Sequence, residues 1–322
     1  MLEALSASAL SPGAAAQYGA GLSHAALLYR DDGEYQARVA EFIRAGLDGG
    51  EQVFVAVPGH RKRLIAEELA DGWGAVRYAD MCDMGLNPGR IIPRVRGFIG
   101  DHPVRRVRYV CEPAWPGRSA AELREAVRHE ALVNIAFAGL PVDILCPYDA
   151  AGLDPGALGS AERTHPVLIC DGVPCPGAPD AADGQVPPEC DQPLTAPSAD
   201  AHMIRYETDL GPVRELVARR ASAAGVPPDR VADLVLAVSE LAANTLRHAG
   251  GQGTLHVWQT GAEIICQVAD RGWIADPLAG RIRRPADGSG HGLWLVHQVC
   301  DLVELRTGPA GTQVRVQMRL AA

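Results

Sequence analysis

Short apolar runs alternate with longer amphipathic ones through the first half of the chain. "AALLY" (25–29), "VFVAV" (53–57), "VRY" (76–78), "VRYV" (107–110), "VDILC" (142–146) and "PVLI" (166–169) predict strands. Between them "EYQARVAEFIRAGL", "RKRLIAEELA", "GRIIPRVRGFI" and "SAAELREAVRHEALVNIAFAG" predict helices, the third open to trimming or kinking at Pro93. Strand–helix alternation of this kind implies α/β, a doubly wound and mostly parallel sheet. The second half reads differently. "MIRYE" predicts a strand, and two helical patterns follow. One carries Val213, Leu216, Val217 and Ala221 on a face. The other, over "PPDRVADLVLAVSELAANTLRHA", carries Val231, Leu234, Val238, Leu241 and Thr245. "TLHVWQTGAEIICQVAD" predicts a hairpin turning near Gly261. In "TQVRVQMRL", Val314, Val316, Met318 and Leu320 alternate with Gln313, Arg315, Gln317 and Arg319, as in a sheet with one wet face. This half is α+β, a two-layer sandwich.

Between the halves, Asp171 to Asp200 holds seven prolines, six acidic residues and no basic residue. Such a segment buries too little to offset ordering and reads as a disordered linker; residues 1–20, rich in Ala, Ser and Gly, read as a flexible N-terminus. The domain expectation is therefore 21–170 and 201–322. At 322 residues, 47% apolar, 21% charged and with net charge −9, the chain has a globular composition; its acidity argues against nucleic acid or an anionic membrane surface. With no run long enough to span a bilayer and no signal-like start, the expected compartment is the cytoplasm. The eight cysteines are scattered and imply no disulfide framework.

At about 100° per residue, Glu240, Asn244 and His248 form a polar stripe along the border of the long helix. Alone, that is the pattern of a solvated helix edge. Two further segments add to it. "VADRG" ends an apolar strand on Asp270 and turns at Gly272, and "DGSGHG" sets Gly288, Gly290 and Gly292 ahead of an apolar helix. A glycine loop feeding a helix N-terminus offers backbone N–H groups to phosphate. With Gly311–Thr312, these segments resemble, in order and spacing over about 205–320, the GHKL family of ATP-binding domains shared by histidine kinases, gyrase-type ATPases and bacterial anti-sigma-factor kinases. The resemblance implies ATP and Mg²⁺ as ligands. It assigns Asn244 to the metal, Asp270 with Thr312 to adenine, the loop Gly288–Gly292 to the phosphates, Glu240 to general base and His248 to shaping the pocket. Ile274 stands where the family has a second glycine, which implies a reshaped adenine pocket. The short stretch between Asp270 and Gly288 and the wording "SELAANTLRHA" are closest to the anti-sigma-factor kinases. That subgroup implies a serine/threonine kinase acting on an anti-anti-sigma (STAS) partner, sequestration of a sigma factor, and a homodimer. Two other readings stay open: a protein-binding module without chemistry, and a histidine kinase. His129 in "VRHEAL" is the sole candidate phospho-acceptor, and an exposed helix residue is its plainer account.

No phosphate-binding G-x-x-x-x-G-K-[ST] occurs in the first half. "HAALLYRDDGEY", "CEPAW", "RHEALVNIAF", "LCPYDA" and "RTHP" together resemble, over about 22–170, the MEDS sensory domain, a degenerate relative of RecA-like folds. This implies input from an unidentified small-molecule or protein signal. Tyr29, Glu112, Trp115, Cys146, Tyr148 and Asp149 all follow strands and could meet at the carboxyl edge of the sheet, where such folds bind ligands. Equally, Trp115 and Tyr148 could simply pack and Asp149 cap a helix. His24, Cys146 and His165 suggest a metal set, but both histidines begin their strands while Cys146 ends its own, which argues against coordination. Cys170, Cys175 and Cys190 lack the paired spacing of a zinc site.

Overall fold

A computed structural model describes residues 21–178, 181–283 and 291–320, so the flexible start expected for 1–20 lies outside the described residues. The chain divides into two compact units between Cys190 and Asp191.

In the first unit the elements are β1 (Ser23–Tyr29), α1 (Asp32–Asp48), β2 (Gln52–Val57), α2 (Gly59–Leu69), β3 (Arg77–Asp80), α3 (Met81–Met84), α4 (Ile91–Gly100), β4 (Val107–Cys111), α5 (Ala120–Ala136), β5 (Val142–Asp149), α6 (Pro155–Thr164), β6 (Val167–Cys170) and β7 (Val173–Pro176). The sheet order is β3-β2-β4-β5-β1-β6-β7, parallel except for the last pair. Helices cover the sheet, so central strands such as β2 and β4 are buried nearly throughout and read as unbroken apolar runs. Local chemistry agrees with the pattern. Asp31 caps α1 by accepting from Glu34 N, and Ser119 with Glu122 forms a capping box at α5. Pro93 falls in the first turn of α4, where its missing N–H is not needed, and the helix runs on. The expected linker is shortened from its front: 173–176 pair with β6 as an edge strand, and Cys190 O accepts from Arg128 Nη2 within this unit.

The second unit contains β8 (His202–Tyr206), α7 (Gly211–Ala223), α8 (Pro228–His248), β9 (Gly253–Gln259), β10 (Glu263–Asp270), α9 (His291–Val299), β11 (Leu302–Gly308) and β12 (Gly311–Arg319). Its sheet, β11-β12-β10-β9-β8, is antiparallel throughout. Val213, Val217, Leu234, Val238 and Leu241 of α7 and α8 pack on Val257, Cys266, Val268, Val316 and Met318 of the sheet. The opposite face is not wet as its alternation suggested. Arg315 and Gln317 are buried, with Arg315 bonded to Gln267 Oε1 (2.7 Å), lying over the Trp258 ring and reaching Thr195, while Arg306 Nε donates to Gln192 O. Residues 192–195, expected to be linker, thus lend backbone and hydroxyl acceptors to two buried arginines. A β-pattern shows which side chains share a face but not what covers it.

Candidate functional site

The last two turns of α8 border a cavity of about 390 Å³ in the second unit, lined by Asn244, His248, Asp270, Gly272 and Thr312 from the predicted set, and also by Trp273, Ile274, Gly280 and Leu293. Asp270 anchors it. The β10 register sets Asp270 beside Gly253 on one flank and Thr312 on the other. Its Oδ1 accepts from Gly272 N at 2.8 Å, and its Oδ2 from Thr245 Oγ1 at 2.7 Å. Thr245 in turn accepts from Tyr206 OH at 3.0 Å, so a buried chain of hydroxyls aims the carboxylate. Glycine is required at 253 because a Cβ there would run into the Tyr206 hydroxyl. Gly311 has φ +117°, and its missing Cβ leaves room for the Asp270 carbonyl. Thr312 Oγ1 donates to Gly272 O (2.8 Å) and contacts Thr307 Oγ1 (2.9 Å), which accepts from Ile274 N (2.9 Å). This ladder fixes the turn after β10. Ile274 packs partly into the core and Trp273 is 73% exposed, so the cavity is open with both on its wall.

Glu240 stands one turn before Asn244 and faces the start of α9: a Cβ on Gly292 would lie 2.6 Å from Glu240 Oε2 and 3.5 Å from Asn244 Nδ2. The backbone at the head of α9 therefore passes directly over the stripe, and a side chain there would have to push the Glu240 carboxylate aside. Gly288 and Gly290 lie outside the described residues. Arg247 joins the stripe from the next turn, donating to Asn244 Oδ1 at 3.3 Å with Glu240 Oε2 3.9 Å away. The sequence pattern did not mark Arg247, set Thr245 on the apolar face of the long helix, and gave Tyr206 only a place in a strand. The signal available was a hydroxyl residue on the apolar stripe next to Asn244.

In the first unit the six candidate sensory residues divide: Tyr29, Glu112 and Asp149 gather round Arg61, while Trp115, Cys146 and Tyr148 have other partners. Tyr29 OH donates to Glu112 Oε1 (3.2 Å) and Tyr35 OH to Glu112 Oε2 (3.1 Å). Arg61 Nη2 donates to Tyr29 OH (2.8 Å), ion-pairs with Asp32, and has Asp149 Oδ2 at 3.7 Å. Burial pushes the Glu112 carboxyl up to about 8, against the pull of Arg61 and the two tyrosine hydroxyls. Tyr35, Arg61 and Asp32 were not foreseen. Asp149 caps the turn at Ala151 and Gly152, while Asp154 caps α6. Trp115 lies under the Arg118 guanidinium instead. Tyr148 stacks edge-on against His165, and Cys146 sits 3.5 Å from His24 Nε2. The objection to the histidine–cysteine set is thus overturned: β5 runs on to Asp149, so Cys146 is mid-strand, and the parallel register puts His24 level with Ile144, two residues away. His129 is fully buried beside Cys111 Sγ (3.9 Å), not exposed, which removes it as a phospho-acceptor. A groove of about 1040 Å³ in this unit lies along β3 and α4 and is lined by none of the six.

Comparison with known families matches residues 23–166 to the MEDS domain, described as the methanogen/methylotroph, DcmR sensory domain, and residues 205–318 to the histidine kinase-like ATPase domain. No curated protein matches. Among solved structures, the Acinetobacter baumannii histidine kinase AdeS aligns at 15% identity with TM-score 0.24, over 38% of this chain and 70% of that one. No helix among the described residues is long and apolar enough to cross a membrane.

Proposed function

We propose that this chain, a MEDS sensory domain followed by a histidine kinase-like ATPase domain, is an ATP-dependent serine/threonine protein kinase of the anti-sigma-factor type. The observation that carries the proposal is the approach of Gly292 to Glu240 and Asn244 beside a cavity anchored by Asp270. A cavity of this size is in the range of small-ligand sites. Asp270, oriented through both oxygens, would accept from the adenine amino group, with Thr312 beside it. The head of α9 would turn its N–H groups to the phosphates. The Asn244 side-chain oxygen is a suitable ligand for Mg²⁺, a hard cation that neutralises phosphate charge when bound. Glu240 would take the proton of the attacking hydroxyl as general base. Arg247, within reach of both, would hold the stripe's rotamers. His248 would shape the pocket from the cavity wall, which it lines.

The partners in this reading are a STAS protein as phosphate acceptor and a sigma factor held when the acceptor is absent, with the chain acting as a homodimer. Burial of His129 leaves the serine/threonine reading ahead of a histidine kinase, because the single histidine with a suggestive neighbour is out of reach of any phosphate. The test is full-length protein with γ-labelled ATP, Mg²⁺ and a STAS acceptor. Acid-stable label on the acceptor, lost in Glu240→Ala, is expected. Absence of nucleotide binding by wild type would leave a module that only sequesters its partner, with Ile274 on the adenine wall as its cause.

A further inference from the structure

We propose that the first unit binds one Zn(II)-class divalent ion, held by His24, Glu130, Cys146 and His165. These four side chains come from β1, α5, β5 and the residue pair ahead of β6, and all four are buried, with one ligand atom of each within 4.8 Å of every other. The contacts are His24 Nε2 to Glu130 Oε2 3.1 Å, His24 Nε2 to Cys146 Sγ 3.5 Å, Cys146 Sγ to Glu130 Oε2 3.4 Å and His165 Nε2 to Glu130 Oε2 3.5 Å. A tetrahedral ion with bonds of about 2.0 Å to N or O and 2.3 Å to S separates its ligand atoms by roughly 3.3–3.6 Å, so four of the six donor pairs already stand near that spacing and the others lie within 4.8 Å.

Both imidazoles are set in the tautomer that a metal needs. His24 Nδ1 lies 2.9 Å from Asn134 Oδ1. The Asn134 amide is oriented by its own Nδ2, which donates to Thr164 O at 2.8 Å, so Oδ1 must accept and His24 Nδ1 must carry the proton. His165 Nδ1 lies 2.9 Å from the Ala161 carbonyl and is likewise the protonated nitrogen. Nε2 of both rings faces inward, at a carboxylate. Three acceptors facing one another in a buried space need a proton or a metal cation between them, and the Cys146 S–H can serve only one. His165 Nε2 and Glu130 Oε1 make no hydrogen bond. An imidazole whose second nitrogen donates to a carbonyl or amide oxygen is the usual outer support of a metal site.

Charge closes as well. On binding, the Cys146 thiol loses its proton to solvent; thiolate, carboxylate, two neutral imidazoles and a divalent cation then sum to zero, as a buried site requires. Nitrogen and thiolate donors together select zinc over magnesium or calcium. Four protein ligands leave no open position, so the site is structural, tying β1, β5 and the turn ahead of β6 to α5.

The test uses the full chain. Metal content after purification, then exchange with Co(II), should give one equivalent per chain, with the intense visible bands of tetrahedral cobalt and a thiolate charge-transfer band. Cys146→Ser should remove the charge-transfer band, Glu130→Gln should drop stoichiometry towards zero, and Asn134→Ala should weaken binding by roughly 10–100-fold. A control is Cys170→Ser with Cys175→Ser, which touch each other on β6 and β7, and which should change nothing. Wild-type protein that takes up no cobalt while folded overturns the proposal. So does a cobalt spectrum that survives Cys146→Ser, or one lost with Cys170 and Cys175.

Discussion

Replacing Gly292 by alanine adds one methyl group between α9 and the polar stripe. That methyl would sit 2.6 Å from Glu240 Oε2, and ordinary contact begins near 3.4 Å, so the carboxylate must retreat by roughly 0.8 Å, or α9 must shift by as much. The same methyl would be 3.5 Å from Asn244 Nδ2, an ordinary contact, so the amide stays put. A misplacement approaching 1 Å at a reacting group costs on the order of 10²-fold in rate, about 2.7 kcal/mol of barrier. Folding should not suffer, because the displaced atom is the tip of a flexible side chain and alanine is up to about 1 kcal/mol better than glycine in a helix. Phosphate transfer to a STAS acceptor, nucleotide affinity by calorimetry, and urea unfolding together read the outcome. Transfer should fall by about two decades with affinity and stability near wild type. Adding Gly292→Ala to Glu240→Ala should cost nothing further, since both act through one carboxylate. Undiminished transfer by the single variant would refute the placement of Glu240 at the reacting hydroxyl.

Thr245→Val keeps the shape but removes the hydroxyl that bridges Tyr206 and Asp270; a charged acceptor loses a donor and a buried phenol loses its acceptor. Stability should fall by roughly 2–4 kcal/mol in urea, with weaker nucleotide binding, and a neutral result would dissolve the chain of hydroxyls. Gly311→Ala forces a left-handed backbone on a residue with a Cβ that overlaps the Asp270 carbonyl, and should cost more than about 2 kcal/mol in thermal unfolding. Glu112 is raised from 4.5 to about 8 by burial, so the folded state binds a proton that the unfolded chain releases. Its stabilisation is complete below pH 4.5 and is lost as pH rises through 8, by several kcal/mol at most. Glu112→Gln should flatten that part of the stability–pH curve, and an unchanged curve would show that the carboxyl titrates normally.

Elements were legible where period and length were unambiguous: the strands of the parallel sheet, the hairpin around Gly261 and the stripe of α8 lie where the pattern put them. Shorter pieces escaped. β11 (Leu302–Gly308) has Glu304 and Arg306 inside it, and their burial depends on partners such as Gln317 and Gln192 that are far away in sequence. The α8 stripe and Asp270 were legible because one helix and one strand end present them in sequence order. The sensory residues were legible only in part, because following a strand says nothing about reaching the same point: Tyr29, Glu112 and Asp149 meet at Arg61, whereas Trp115 turns to Arg118. Cys146 was misjudged by taking the end of an apolar run for the end of a strand. The companion signal was present in α5, where Glu130 and Asn134 stand one turn apart and grip the two nitrogens of His24. Two polar groups at i and i+4 on a buried helix face each need a partner, and here His24 lies against both.

The antiparallel strand β7, Val-Pro-Cys-Pro, terminates the large sheet beyond β6. Proline nitrogens carry no hydrogen, so at 174 and 176 this border has nothing to donate to a newcomer. An extended peptide, or another molecule of the same protein, would find every second rung of the ladder blank on that side. A rim built this way resists templated growth and fibre formation at the one margin the six parallel strands would otherwise leave open there.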